Sequence, residues 1–249
     1  GGNDAEMNVT NAYVQIGNTS SKNNAANGVF TLNITNSIAE FTNQLTFAEP
    51  TNGNTPTFNV NIKDSVFTTG TKLCVAAAKS TTITVDNSTV TLGTYLRNSG
   101  TINLTNGSVL TGKTIQFGEN GGNNGTISVD NSSLTIKGGS TAHAFDGKGI
   151  GSITATNGAT VNVDYYKDMT VTADETSTIT GTDIDGNRKI YYAGDMELVP
   201  YNANAFGGAT IVSSVFKDGK GVLTFDRDLT IIGEEAFKNT KIGKITFEG

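Results

Sequence analysis

One short pattern keeps returning through the first three quarters of the chain. Apolar and polar residues alternate, an Asn or Asp followed by Ser or Gly interrupts them, and alternation resumes. It appears as Phe30-Thr31-Leu32-Asn33-Ile34-Thr35-Asn36-Ser37, as Phe58-Asn59-Val60-Asn61-Ile62-Lys63-Asp64-Ser65 and as Ile83-Thr84-Val85-Asp86-Asn87-Ser88. Ile102-Asn103-Leu104-Thr105-Asn106-Gly107, Ile127-Ser128-Val129-Asp130-Asn131-Ser132 and Ile153-Thr154-Ala155-Thr156-Asn157-Gly158 follow, and Val171-Thr172-Ala173-Asp174-Glu175-Thr176 is a degenerate seventh copy. Period-two alternation sends one set of side chains inward, and Asn or Asp with Gly or Ser bends the chain at a corner. The corners at 36, 64, 87, 106, 131, 157 and 175 are spaced by 28, 23, 19, 25, 26 and 18 residues. Spacings of that size belong to repeats that stack as solenoids.

A single such unit cannot bury its apolar row, whereas stacked units can. Second short alternations, Val90-Thr91-Leu92, Leu134-Thr135-Ile136 and Val161-Asn162-Val163, follow the corners. Together they predict a mainly β chain folded as a right-handed parallel β-helix (β-solenoid), its coils ~4.8 Å apart and paired through backbone amides. Asn recurring at one corner is expected to form a stacked amide ladder. Composition agrees: 30 Gly with many Thr and Asn suit tight turns and solvent-facing strands. A β-sandwich also shows short strands between turns, but it does not require those turns to resemble one another. Disorder is opposed by the sustained alternation and by only three prolines. Uneven spacing requires loops of varying length to leave the coils, and Gly118-Glu119-Asn120-Gly121-Gly122-Asn123-Asn124-Gly125 reads as one.

Residues 1–28 contain a polar cluster, Asn18 to Asn24, and read as a partly mobile or capping segment. Residues 29–181 form the expected β-helix. Asp183-Ile184-Asp185-Gly186-Asn187 is a turn-rich join to a third region, 182–249. There, Gly219-Lys220-Gly221-Val222-Leu223-Thr224-Phe225-Asp226, Leu229-Thr230-Ile231-Ile232-Gly233-Glu234-Glu235-Ala236-Phe237 and Ile242-Gly243-Lys244-Ile245-Thr246-Phe247 stand in series. With Phe206-Gly207-Gly208-Ala209-Thr210-Ile211-Val212-Ser213, they make 206–249 resemble the start of BspA-like leucine-rich-repeat proteins of Bacteroides-type cell surfaces. The resemblance implies a short β/α unit, a cap and first repeat, with strands at Leu223–Phe225 and Ile245–Phe247 and Phe237 anchored beneath the second. It covers less than a fifth of the chain. Family members continue with many repeats, so either the chain is a fragment of a longer array or this unit caps the β-helix; the fragment is the expectation.

Some functions have little to work with. A formal charge of −6 without a basic run gives no electrostatic route to nucleic acid. No apolar segment approaches the ~18 residues of a membrane span. Cys74 is the only cysteine and sits in Leu73-Cys74-Val75-Ala76-Ala77-Ala78, where a buried small hydrophobe is expected. Parallel β-helices include polysaccharide-cleaving enzymes, which use clustered carboxylates. The closest pair is Asp183 and Asp185, for which the following Asp-Gly-Asn favours a turn. Arg97, Arg188 and Arg227 are scattered, and His143, the only histidine, lies in an expected loop without a nucleophile elbow. One histidine is too few for the common zinc sites, and no calcium-binding nonapeptide repeat is present. Tyr165-Tyr166 and Tyr191-Tyr192 each present one ring to either side of a strand, where a ring can bind sugar or cover a seam between modules.

The expectation is therefore a secreted or outer-surface, adhesin-like protein. It would display a solenoid face to a protein or glycan ligand, with no catalysis, no cofactor and no metal. No ligand-binding residue is assigned. The alternatives are a polysaccharide lyase or hydrolase, and a passive surface stalk.

Overall fold

The structure, a computed structural model, describes residues 4–17, 19–21, 28–47, 57–75, 80–117, 125–138, 151–166, 169–183, 188–225, 229–240 and 242–246. The chain divides into two units, Gly1–Thr182 and Asp183–Gly249, close to the expected join.

The first unit is a parallel β-solenoid. Its coils run β1 (Ala5–Thr10), β2 (Tyr13–Ile16), β3 (Thr19–Ser21); β4 (Val29–Thr35), β5 (Ile38–Phe41), β6 (Leu45–Phe47); β7 (Thr57–Lys63), β8 (Val66–Thr69), β9 (Lys72–Val75); β10 (Ser80–Asp86), β11 (Thr89–Leu92), β12 (Tyr95–Asn98). The fifth is β13 (Thr101–Thr105), β14 (Val109–Gly112), β15 (Thr114–Phe117), and these first five coils have three sides. Two sides continue in β16 (Gly125–Asp130) and β17 (Ser133–Ile136), β18 (Gly151–Thr156) and β19 (Thr160–Tyr166), β20 (Met169–Ala173) and β21 (Thr178–Asp183). Two sheets are thus eight strands deep and the third is five.

Register holds like over like. Leu32, Val60, Ile83, Ile102, Ile127 and Ile153 form one inward column. Ala39, Phe67, Val90, Leu110, Leu134 and Val161 form another across the second sheet. Leu45, Leu73, Leu96 and Ile115 close the third side. All are buried. Phe30, Phe47 and Phe58 meet at the wide end of this core, with Phe47 and Phe58 ring centroids 4.9 Å apart.

The solenoid begins earlier than residue 29. β1 pairs with β4 from Ala5↔Phe30 to Thr10↔Thr35, and β2 with β5 from Tyr13↔Ile38 to Ile16↔Phe41. Ala5–Ser21 is therefore the first coil. Residues 18 and 22–24 of the polar cluster, most of the loop at 118–125 and His143 lie outside the described residues.

The second unit is a four-stranded antiparallel sheet, not the parallel arrangement expected of a leucine-rich repeat. Its strands are β22 (Lys189–Gly194), β23 (Ile211–Lys217), β24 (Lys220–Phe225) and β25 (Ile242–Thr246), in the order β23-β24-β22-β25. The strands at Leu223–Phe225 and Ile242–Thr246 are not neighbours; β22 lies between them, antiparallel to both. Two local features enforce this. Asp218 and Gly219, at φ 52° and 76°, make the two-residue turn that folds β23 back on β24. Ile190 and Tyr192 then give β22 a buried alternating face that needs a central place in the sheet. Residues 234–239 form turns instead of a helix. Phe237 nevertheless joins the core, its ring 5.8 Å from that of Phe206.

Candidate functional site

The corner between the first two sheets is where the repeat concentrates polar groups. Asn11, Asn36, Asp64, Asn87, Asn106, Asn131 and Asn157 all have φ between 44° and 57°. This left-handed region is costly for most L-residues and tolerated by Asn and Asp, which explains their recurrence. Several are linked across coils: Asn36 Nδ2 donates to Asn11 Oδ1 and Asn87 Nδ2 to Asp64 Oδ1, each at 2.7 Å. Asn106 donates to Asp86 at 2.5 Å, and Asn157 donates to Asp130. Behind this exposed rail runs a buried one of Ser37, Ser65, Ser88, Ser108 and Ser132, which accept backbone N–H bonds from the preceding coil.

Away from the corner column that holds Lys63, Asp86 and Asp130, the first sheet turns outward an almost charge-free lattice. In register, its two middle outward columns read Glu6 and Asn8, Thr31 and Asn33, Asn59 and Asn61, Thr82 and Thr84, Thr101 and Asn103. They continue as Thr126 and Ser128, Ser152 and Thr154, Thr170 and Thr172. Glu6 alone carries a charge. Neighbours in a column bond to each other, as Asn61 Nδ2 does to Asn33 Oδ1 at 2.8 Å.

The second sheet differs at its first coils. Its first outward column is Tyr13, Ile38 and Val66, exposed by 62%, 43% and 41%, before Thr89 replaces them. Between this apolar rail and the amide rail lies an open groove of about 560 Å³ spanning four coils. Asn11, Asn36, Asp64 and Asn87 form one wall, and Tyr13, Ile38 and Val66 the other. Glu40 fixes the tyrosine, accepting from Tyr13 Oη at 2.7 Å and from Gln15 Nε2 at 3.1 Å. The same hydrogen bond, with smaller contributions from desolvation and the carboxylate's charge, raises the Tyr13 pKa. The phenol keeps its proton and its orientation.

The residues considered from sequence alone do not converge. Asp183 ends β21, and Asp185 lies outside the described residues, as does Arg227. Arg97 lies on the third sheet, its guanidinium 5.0 Å from the Tyr95 ring and its Nε bonded to Gln116 at 2.6 Å. Arg188 lies in the second unit. Cys74 is buried, as its neighbours implied. Tyr166 packs on the solenoid core while Tyr165 is exposed; Tyr192 is buried in the second unit's own core, its hydroxyl accepting from the Leu198 N–H at 2.9 Å. Each buried ring thus belongs to the core of its own unit.

Carboxylates do occur on adjacent coils. Asp86 stands opposite Lys63 in the register, next to Asp64, and each carboxylate accepts an amide of the following coil. Among the described residues no three metal-ligating side chains cluster. The groove escaped sequence reading because Tyr13 belongs to the unrecognised first coil; the signal available was Asn11, one repeat length before Asn36. No family model, curated protein or solved structure matches the chain.

Proposed function

We propose that the chain is a non-catalytic binding module of an outer cell surface, holding an extended, uncharged glycan in the corner groove. The observation that carries this reading is the pairing of two rails, amides and a carboxylate on one side and Tyr13, Ile38 and Val66 on the other, repeated over successive coils. A sugar offers the matching pair of surfaces, an apolar C–H face and a rim of hydroxyls. Amides accept and donate to such hydroxyls, and a tyrosine ring supplies large contact area at little entropic cost. A polymer with a repeat near the ~4.8 Å coil spacing meets equivalent groups at each step, whereas an extended peptide shows same-face side chains every ~6.8 Å. A surface location suits the polar outward columns of the first sheet.

Affinity electrophoresis against soluble glucans, mannans and xylans tests the reading. At least one should retard the chain, and Tyr13→Ala should weaken that binding by about tenfold, the loss typical of an aromatic anchor. Retardation that survives both Tyr13→Ala and Ile38→Ser would remove the groove from the account. The rival reading, a polysaccharide-cleaving enzyme, rests on Asp64 and Asp86. Glycan turnover abolished by Asp64→Asn or Asp86→Asn would establish it instead.

A further inference from the structure

Lysines far apart in sequence form a row on the open face of the second unit's sheet. The register sets Lys217 opposite Lys220, Lys220 opposite Ala193, and Ala193 opposite Lys244. Two residues along each strand, on the same face, Val215 stands opposite Val222 and Val222 opposite Tyr191. A cationic row therefore runs across the strands beside an apolar one, ~6.8 Å away. The opposite face is the one that packs, with Tyr192 and Phe216 stacked at 5.9 Å and Ile190, Leu223 and Phe225 buried.

The two rows line a groove of about 650 Å³ that contains no carboxylate among its lining residues. Lys217, Lys220 and Lys244 are exposed, and among the described residues no ion pair neutralises them. Like charges placed directly opposite on neighbouring strands destabilise a sheet. Lys217 and Lys220 are such a pair, and Lys244 stands in the same row two strands beyond Lys220, in a chain whose formal charge is −6. The arrangement costs stability and is complementary to an anion.

We propose that this face binds an anionic glycan, sulfated or uronate-bearing, laid across the strands. Its acidic substituents meet Lys217, Lys220 and Lys244, and its ring faces rest on Tyr191, Val222 and Val215. Lysine suits this task because its flexible stem and point charge follow substituents whose positions vary from sugar to sugar. A bound peptide would instead add along the exposed edge of β23, parallel to the strands and off this groove. Nucleic acid draws its affinity from many phosphate contacts, and three lysines on an acidic chain supply few. The site consists only of second-unit residues and is independent of the corner groove.

The test titrates the full chain with chondroitin sulfate, polygalacturonate, neutral dextran, poly-glutamate and a short single-stranded DNA. One of the two anionic glycans should bind, and binding should fall as salt is raised. The triple variant Lys217→Gln, Lys220→Gln, Lys244→Gln should weaken binding by about tenfold or more, with an unfolding midpoint equal to or above that of the parent because repulsion is relieved. Tyr191→Ala should weaken it with the charges intact, and Val222→Ser should do the same if Tyr191→Ala disturbs folding. Tyr13→Ala should leave it unchanged. The proposal is overturned if neither anionic glycan binds, if dextran binds equally to the Tyr13→Ala variant, or if poly-glutamate or DNA binds as well and the apolar variants have no effect.

Discussion

The backbone N–H of Ser65 donates to the Oγ of Ser88, one coil away, at 3.0 Å. Ser88 Oγ in turn donates to the Asp86 carbonyl of its own coil at 2.7 Å. The same relation joins Ser37 to Ser65, Ser88 to Ser108 and Ser108 to Ser132. For the donors Ser37, Ser65 and Ser88 the cause lies in the preceding residue, whereas Ser108 follows Gly107 and its N–H also reaches the Thr105 carbonyl at 3.2 Å. A left-handed Asn or Asp swings the backbone out of the inter-coil ladder, and the next N–H is left buried without a carbonyl. The serine hydroxyl fills that gap, so the Asn-Ser pair is one device and not two preferences.

Ser88→Ala should therefore be costly for so small a change. It strands the buried Ser65 N–H and should cost about 1–3 kcal/mol. Ser133→Ala, on the outward column of β17, should change stability by less than about 0.5 kcal/mol. Urea unfolding of the two variants with equal slopes measures the difference. Equal midpoints would show that the hydroxyl ladder does not close the corner.

The corner residue itself allows backbone and side chain to be separated. Asn87 has φ 46° and donates through Nδ2 to Asp64. Asn87→Ala loses the amide bond and keeps a Cβ in the left-handed region without the short polar side chain that makes this conformation tolerable, a cost of up to about 1–2 kcal/mol for the conformation alone. Asn87→Gly loses only the amide bond. Stability should rank parent above Asn87→Gly above Asn87→Ala, read from thermal or urea midpoints. An alanine variant at least as stable as the glycine variant would place the whole contribution in the amide ladder.

The corners were legible in the sequence because a left-handed backbone admits few residue types; Asn36, Asp64, Asn87, Asn106, Asn131 and Asn157 all stand where the repeat predicts. Asn11 hid because Ala12 stands where the motif elsewhere has serine or glycine. At the seventh corner Glu175 is not left-handed, and Asp174 caps the coil with its carboxylate instead. The third side of the coils left no trace, since strands of three or four residues between loops of changing length show no periodicity. In the second unit, strand partners were illegible for a different reason. Lys244 comes level with Lys220 only through β22, a register that no local pattern encodes. The lysine row, and any site built on it, follows from that register alone.

Close approach between coils explains two glycines that the repeat does not mark. A Cβ on Gly93 would lie 1.9 Å from the Gly70 carbonyl oxygen, and one on Gly70 would lie 2.1 Å from that of Thr42. These contacts are with backbone, so no side chain can swing aside. Gly93→Ala should destabilise the solenoid by about 1–3 kcal/mol or more, as overpacking against fixed atoms does. Gly17→Ala, with nothing within 4 Å, should be neutral or slightly stabilising. Matching thermal midpoints for the two variants would mean that the second corner can open without loss.

Acid should loosen the last coil through one carboxylate. Asp174 Oδ2 accepts the Asn157 N–H at 2.7 Å, and Oδ1 accepts the Thr176 N–H at 3.0 Å and its hydroxyl at 2.9 Å. The Asn157 backbone bond is the largest influence, followed by the Ser177 side chain; together with the Thr176 bonds they outweigh the opposing desolvation and lower the pKa from 3.8 to about 2. A folded-state pKa below the unfolded one stabilises the native state at higher pH, and that contribution disappears as pH falls from about 4 through about 2. Protection of the Asn157 amide against hydrogen exchange, corrected for intrinsic rate, should therefore decline over this window in the parent chain. Asp174→Asn should show lower protection at neutral pH and a flat response across the window, because the carboxamide does not titrate there. If parent and variant lose protection along the same curve, the acid sensitivity belongs to another group and the Asp174 cap does not hold the terminal coil.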